Sequence, residues 1–409
     1  MIRHEDHTMT RRRLLQAGAG AAVGSALGAD ESHAAPPATS AVYEAVGVKP
    51  VINAAGTFTT LGGSVMPPEV VAAWVEASKH YVDLVALQDK VGAKIATLLG
   101  VEAALVTTGA AGALLLGTAA AVTRGDPKIV ARLPDTSGMK NEVILQKTHH
   151  SCYDNQLTDV GVKLVDVETP ADVARAVTEK TAMMFFMNMS EDAGQIKRKE
   201  WVDLARKHNV RTLIDAAADV PPVGRISEYA RIGFDMIALS GGKAMRGPND
   251  TGLLLGQRAL IEAAKRNTNP HCGTIGRMMK VGKEDMVALM VAVERFVKLD
   301  HAAEAKKLEQ RLEVIESAVK DIPTIECERI VPAIANHVPH LQIAWDEKRV
   351  KISREQVTRS LADGDPSIRI GRVAGTGDKG ILISALTLQD GEEKIVASQL
   401  KEILMKAAK

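Results

Sequence analysis

Two stretches, Thr212-Leu213-Ile214-Asp215-Ala216-Ala217 and Leu239-Ser240-Gly241-Gly242-Lys243-Ala244-Met245-Arg246-Gly247-Pro248, decide how this chain is read. Each opens with a short apolar run of the kind that forms a buried strand, then places one charged residue among small ones. The glycines before Lys243 let a flat ligand approach the backbone closely. A lysine beside Ser and Gly in a loop is, taken alone, usually a solvated side chain. Asp215, at the end of an earlier apolar run, gives that lysine a partner.

A carboxylate at one strand end and a lysine past a later one are what a pyridoxal phosphate site requires. Asp215 would pair with the protonated pyridine nitrogen and keep the ring an electron sink, while Lys243 would hold the aldehyde as a Schiff base. A third element lies upstream, where Val106-Thr107-Thr108-Gly109-Ala110-Ala111-Gly112-Ala113 joins a strand to a helix. Free backbone N–H groups and the Thr hydroxyl there suit a phosphate, although the same residues also read as an ordinary capped helix start. A fourth element is Lys147-Thr148-His149-His150-Ser151-Cys152-Tyr153, which offers an imidazole to stack on the ring and move protons. His149 is the expected stacking residue, and His150 and Tyr153 are further proton-transfer candidates. A zinc site built on the two histidines lacks a third ligand, so no metal is expected.

Outward from these motifs, helical patterns alternate with short apolar runs between about residues 68 and 256. Helices are expected over 69–78, 110–121, 170–179, 199–208 and 227–232. Strands are expected over 103–106, 143–146, 163–167, 182–187, 211–214, 236–239 and 251–255. Such alternation predicts an α/β domain with a mostly parallel sheet, because parallel strands need crossovers. Ligands of such sheets sit outside the carboxyl ends of the strands. After Gly282 the pattern predicts one long connecting helix over 283–319. Beyond it come strands at 340–345, 367–370 and 380–384 and helices at 353–362 and 391–408, read as a smaller C-terminal α/β domain.

The chain has 409 residues with 51 Lys+Arg against 50 Asp+Glu and 3% aromatic residues. Balanced charge argues against a surface built for a phosphate backbone, and few aromatics argue against base stacking, so no nucleic acid partner is expected. Three cysteines, Cys152, Cys272 and Cys327, are too widely spaced for a zinc pattern and predict no structural disulfide. Thr10-Arg11-Arg12-Arg13-Leu14-Leu15-Gln16 precedes an Ala- and Gly-rich apolar run to Ala29. It resembles a twin-arginine export signal, too short and weakly apolar for a stable membrane anchor, with a small-x-small site at Ser32-His33-Ala34. The expected organisation is a signal over 1–34, a linker and N-terminal arm over 35–50, a cofactor domain over 51–282, and a connecting helix with the small domain over 283–409. The expected location is the periplasm, reached through the twin-arginine machinery.

With these residues in place, the chain resembles the fold-type-I pyridoxal phosphate enzymes. Within them it resembles the family of L-seryl-tRNA selenium transferase and D-glucosaminate-6-phosphate ammonia lyase. The resemblance rests on Val51-Ile52-Asn53-Ala54-Ala55-Gly56-Thr57, Leu61-Gly62-Gly63-Ser64, Val106 to Ala113, Ile214 to Ala217, Ser240 to Lys243, and Gly276-Arg277-Met278-Met279-Lys280-Val281-Gly282-Lys283-Glu284. It implies pyridoxal 5'-phosphate as cofactor and a homodimer or larger homo-oligomer with sites at subunit interfaces. It implies Lys243 and Asp215 as catalytic residues, Thr108, Gly109 and Ala110 as the phosphate cup, and Ser240 as a further phosphate contact. Arg277, Arg369 and Asn53 become substrate-binding candidates; a surface salt bridge for Arg277 and a solvated strand face for Arg369 are the alternatives.

The expected reaction is α,β-elimination from a small hydroxylated amino acid or aminosugar acid, giving a keto acid and ammonia. A selenium-transferase-like activity is the alternative, disfavoured by balanced charge, by the export signal, and by the lack of a tRNA-binding extension before Val51. Transamination, racemisation and aldol cleavage share the first step. A binding module without turnover is the reading from a different class.

Overall fold

The computed structural model describes residues 40–371 and 380–409. The export signal and residues 35–39 of the expected linker and arm lie outside the described residues. The strands in chain order are β1 (Ile52–Ala54), β2 (Ala103–Thr108), β3 (Glu142–Gln146), β4 (Lys163–Val167), β5 (Thr181–Met187), β6 (Arg211–Asp215), β7 (Met236–Ser240), β8 (Thr251–Gly256), β9 (Glu326–Ile330), β10 (His340–Ala344), β11 (Ile368–Ile370) and β12 (Ile381–Ser384).

Seven of them form one sheet in the order β2-β8-β7-β6-β5-β3-β4. Only β8 runs antiparallel to its neighbours, β2 and β7; the other pairings are parallel. The fold is α/β and is that of the fold-type-I pyridoxal phosphate enzymes. The strands are apolar on both faces because helices cover both. On β5, Met184 and Phe186 enter one core with Trp201, Ile226 and Phe296, while Phe185 and Met187 enter the other with Leu114, Leu116 and Ile261. Period-two alternation sends successive side chains to opposite cores, so the strand reads as an unbroken apolar run. Helix Gly109–Thr123 is buried along nearly its whole length, from Gly112 to Thr123, and carries only small and aliphatic residues apart from threonines.

The C-terminal part is a three-stranded antiparallel sheet, β12-β10-β9, packed with helices His301–Val319, Arg354–Asp363 and Glu392–Ala407. β1 does not join the large sheet. It pairs in parallel with β11, Asn53 opposite Arg369, and Ile52 and Ala54 pack in the C-terminal core. The chain thus threads this core before it builds the large sheet.

The long helix expected over 283–319 is two helices, Lys283–Lys298 and His301–Val319. Asp300 explains the break: its Oδ1 accepts the N–H groups of Ala302 and Ala303 at 3.0 Å, capping a new helix. His301 Nε2 lies 2.9 Å from the Phe296 carbonyl, which also accepts the Leu299 N–H at 3.4 Å, and the two rings meet edge to face. β9 was absent from the expected strands because its sequence, Glu-Cys-Glu-Arg-Ile, is an edge strand with charged residues rather than an apolar run.

Candidate active site

The carboxyl ends of β2, β6 and β7 open on the same edge of the sheet, with β8 between β2 and β7. The register sets Asp215 opposite Ala238, Ser240 opposite Gly252, and Thr108 opposite Thr251. Hydrogen bonds lock the two central ends together, from Ala216 N–H to the Ala238 carbonyl at 3.0 Å and from Ser240 N–H to the Ala217 carbonyl at 3.3 Å.

Helix Gly109–Thr123 begins beside them without a side-chain cap at Thr108. The Thr107 hydroxyl donates instead to the Gly109 carbonyl at 2.8 Å. The first N–H groups of this 15-residue helix therefore have no intrahelical partner, and Thr108 to Ala111 are only half-buried. This is a ready anion site, with the positive end of the helix dipole behind it. Gly252, which the sequence reading did not single out, makes the arrangement possible. A Cβ there would fall 2.6 Å from Ala110 N and closer still to the Gly109 carbonyl group, so only glycine lets the helix start press onto β8.

Asp215 ends β6 with 7% of its surface exposed, and its Oδ1 accepts the Ala217 N–H at 2.9 Å. Burial lifts its pKa to about 6, against the Ala217 hydrogen bond and the Lys243 charge, and Asp219 adds to the rise. Burial pushes the Lys243 amine below its ordinary value, while Asp215 and Asp219 pull it back up. The turn before Lys243 is tightly packed: a Cβ on Gly242 would lie 2.5 Å from Asn249 Cα, and the Ser64 hydroxyl donates to the Gly242 carbonyl at 2.9 Å. That contact gives the Leu61-Gly62-Gly63-Ser64 motif its place.

Asp219 was also missed. It is 2% exposed and accepts hydrogen bonds from Asn188 Nδ2 at 2.6 Å and the Tyr229 hydroxyl at 2.9 Å. Arg198 lies over the Tyr229 ring at 5.8 Å and reaches Asn188 Oδ1 at 3.4 Å. Burial raises the pKa of both Asp219 and Tyr229. The network stands behind Asp215 and Lys243 and acts on both through the Asp219 charge. The sequence sign was faint: a second carboxylate four residues after Asp215, set among alanines.

The histidines require a correction. His149, expected to stack on a cofactor ring, is 0% exposed, with its ring edge to face against Phe186 at 4.5 Å. Its Nδ1 accepts the Met187 N–H at 3.2 Å, and burial with the nearby Lys197 charge lowers its pKa to about 4. It is a neutral core residue with no face open to a ligand. His150 sits outside, clamped between Asp154 Oδ2 at 2.5 Å and Asp166 Oδ1 at 2.7 Å, and these carboxylates raise its pKa. Both ring nitrogens are thereby occupied. Tyr153 is the member of this loop that feels the site: burial, then the charges of Cys152 and Asp215, raise its pKa.

Of the substrate-binding candidates, Asn53 and Arg369 are register partners on β1 and β11, and Arg277 lies in a turn elsewhere in the chain. The Asn53 side chain closes its own turn, accepting the N–H groups of Ala55 and Gly56 and donating to the Gly56 carbonyl. Arg277 and Arg369 are exposed. Among the described residues no His/Cys/Asp/Glu group is arranged to hold a metal, and no helix is long and apolar enough to cross a membrane. Cys152, Cys272 and Cys327 are unpaired.

Residues 86–283 match the aminotransferase class-V family model. The chain is similar to D-glucosaminate-6-phosphate ammonia lyase of Salmonella typhimurium, 29% identical over 90% of this chain and 100% of that protein. It is similar to 5'-C-glycyluridine monooxygenase-decarboxylase of a Streptomyces species, 28% identical over 89% and 92%. L-seryl-tRNA(Sec) selenium transferase of Geotalea uraniireducens matches at 27% over 56% of this chain and 53% of its own. Among solved structures, a D-glucosaminate-6-phosphate ammonia-lyase superposes with TM-score 0.78 and 27% identity, covering 91% of this chain and 100% of that one.

Proposed function

We propose that the protein is a pyridoxal-phosphate-dependent carbon–nitrogen lyase that converts a hydroxylated amino acid or aminosugar acid to a keto acid and ammonia. The observation that carries the reading is the pair of a buried Asp215 at the end of β6 and a half-buried Lys243 just past the end of β7, beside an uncapped helix start. The likeness to an ammonia lyase along nearly the whole chain supports the reaction class.

Pyridoxal phosphate, when bound, supplies an electron sink for breaking bonds at Cα. The N–H groups of Gly109 to Ala111 and the Thr108 hydroxyl would hold its phosphate, and Asp215 would keep a proton on its ring nitrogen. Lys243 would hold the cofactor's aldehyde end, and its Nζ, which burial favours in the neutral form, would take the Cα proton. Tyr153 holds its phenolic proton to higher pH than a free tyrosine and would donate it to the departing β-hydroxyl. Proton and hydroxyl leave together as water, and water returns as ammonia leaves Cα, so the products are keto acid and ammonium.

The reading includes a homo-oligomer, supported by exposed apolar residues Val71, Val75, Tyr81, Val82 and Val85 on and between two adjacent helices. It also includes export to the periplasm, which rests on Arg11, Arg12 and the apolar run after them. A screen of D- and L-hydroxyamino acids and aminosugar acids tests the reaction. Keto acid with equimolar ammonia supports it, whereas keto acid alone would indicate transamination and an aldehyde would indicate aldol cleavage.

A further inference from the structure

Two carboxylates act on the half-buried Lys243 amine, Asp215 and Asp219. Asp215 has its task at the ring nitrogen of the cofactor. Asp219, at 2% exposure more deeply buried than Asp215 at 7%, has none so far.

The fold holds Asp219 from several directions. Its N–H closes a turn on the Ala216 carbonyl at 3.1 Å, and the Asn336 N–H, from the C-terminal part, donates to the Ala218 carbonyl at 2.7 Å. Arg225 adds a second tie: Nη1 reaches the Asp219 carbonyl at 3.4 Å and Nη2 donates to the Ala333 carbonyl. At the carboxylate, Oδ2 takes both the Asn188 amide and the Tyr229 hydroxyl, and those two groups bond each other at 2.9 Å. Oδ1 takes no hydrogen bond from the described residues, and Lys243 Nζ forms no hydrogen bond or ion pair among them. Charge alone links the two groups. Arg225 and Lys243 are the cations that act on Asp219, and with the two donors on Oδ2 they favour its charged form against burial.

We propose that Asp219 is a positioning residue whose carboxylate is the counter-charge for Lys243 while Nζ holds the Cα proton. The proposal deepens the lyase reading and rests on it for the proton that Lys243 takes. On taking it, Nζ gains a third hydrogen and a positive charge inside the fold, and the electron pair of the broken C–H bond stays on the substrate side. A buried ammonium is costly without an opposite charge. Asp215 cannot supply that charge in full, because the protonated ring nitrogen offsets it. Asp219 can: both partners on its carboxylate are uncharged, so its charge remains available to Lys243.

The test begins with cofactor-free protein, acylated with acetic anhydride over a range of pH, with the fraction modified at Lys243 read by peptide mass mapping. Only the neutral amine reacts, so the midpoint of the profile reports the charge on Lys243. Asp219→Asn keeps the shape of the side chain and removes its charge, and should move the midpoint down by roughly one pH unit, as loss of one nearby opposite charge does. Tyr229→Phe breaks one bond of the network but keeps the charge, and should leave the midpoint close to that of wild type. In the lyase assay, Asp219→Asn should lower kcat at least ~10-fold with little change in KM, the pattern of an interaction made only in the transition state. If Asp219→Asn fails to fold, Asp219→Ser removes the charge without added bulk and should shift the midpoint in the same direction. A midpoint that stays at the wild-type value without the Asp219 charge, or that moves as far in Tyr229→Phe, overturns the inference. The acylation profile needs neither cofactor nor turnover, which separates the two claims. A shifted midpoint with no ammonia released from any substrate would leave the counter-charge standing and remove the lyase reading; ammonia release with an unshifted midpoint would do the reverse.

Discussion

Asp215 and Lys243 stand at the carboxyl ends of neighbouring parallel strands, within range of each other's charge, and burial moves both toward their neutral forms. Asp215 titrates at about 6 rather than 3.8. Between those values the folded protein holds a proton that the unfolded chain has lost, so stability falls as pH rises from about 4 to about 6. His149 works in the opposite sense over nearly the same window. Its folded ring is neutral down to about 4 against 6.5 unfolded, so its contribution rises with pH. Each effect is about 3 kcal/mol, and the two largely cancel. In cofactor-free protein, Asp215→Asn should gain stability relative to wild type by about that amount as pH rises through the window. Urea unfolding across it is the measurement, and parallel pH profiles would refute the burial effect on Asp215.

His149→Ala should cost about 3 kcal/mol, from the cavity beside Phe186 and the unpartnered Met187 N–H. Cofactor affinity should stay near that of wild type. A variant that folds normally but binds the cofactor poorly would reinstate a stacking role.

Gly252→Ala should injure the phosphate cup more than the fold. Its new Cβ collides with the start of helix Gly109–Thr123, an overpacking that costs about 1–3 kcal/mol and moves the uncapped N–H groups. Pyridoxal phosphate affinity should fall at least ~10-fold, the equivalent of 1.4 kcal/mol. An unchanged dissociation constant would show that the phosphate binds elsewhere.

Tyr153→Phe should take up cofactor normally and lose about 100-fold or more in kcat, the usual contribution of a positioned acid. His150→Gln should have a far smaller effect, since both ring nitrogens of His150 are held by carboxylates on the protein surface. The reverse ranking would move the proton donor from Tyr153 to His150.

Much of the fold was legible because buried parallel strands are unbroken apolar runs, as in β5 and β7, and the two chemical residues each follow such a run. β9 escaped because an edge strand carries charge, and the break at Leu299 escaped because a helix-compatible run hid the Asp300 cap. The site was legible where local pattern suffices, at Asp215, Lys243 and the helix start. It was illegible where distant residues decide. Nothing near His149 shows that Phe186 and Met187 will enclose it while its neighbour His150 stays outside. Asp219 depends in the same way on Asn188 and Tyr229, and Gly252 matters only through a helix start far upstream.

The central claim is that Lys243 carries the cofactor. Borohydride reduction of the protein loaded with pyridoxal phosphate, followed by peptide mass mapping, tests it most directly. The reduced cofactor should appear on the peptide containing Lys243, and Lys243→Ala should carry none and lose the visible absorption band. A wild-type protein with no labelled peptide, or a label retained at another lysine after Lys243→Ala, would contradict it.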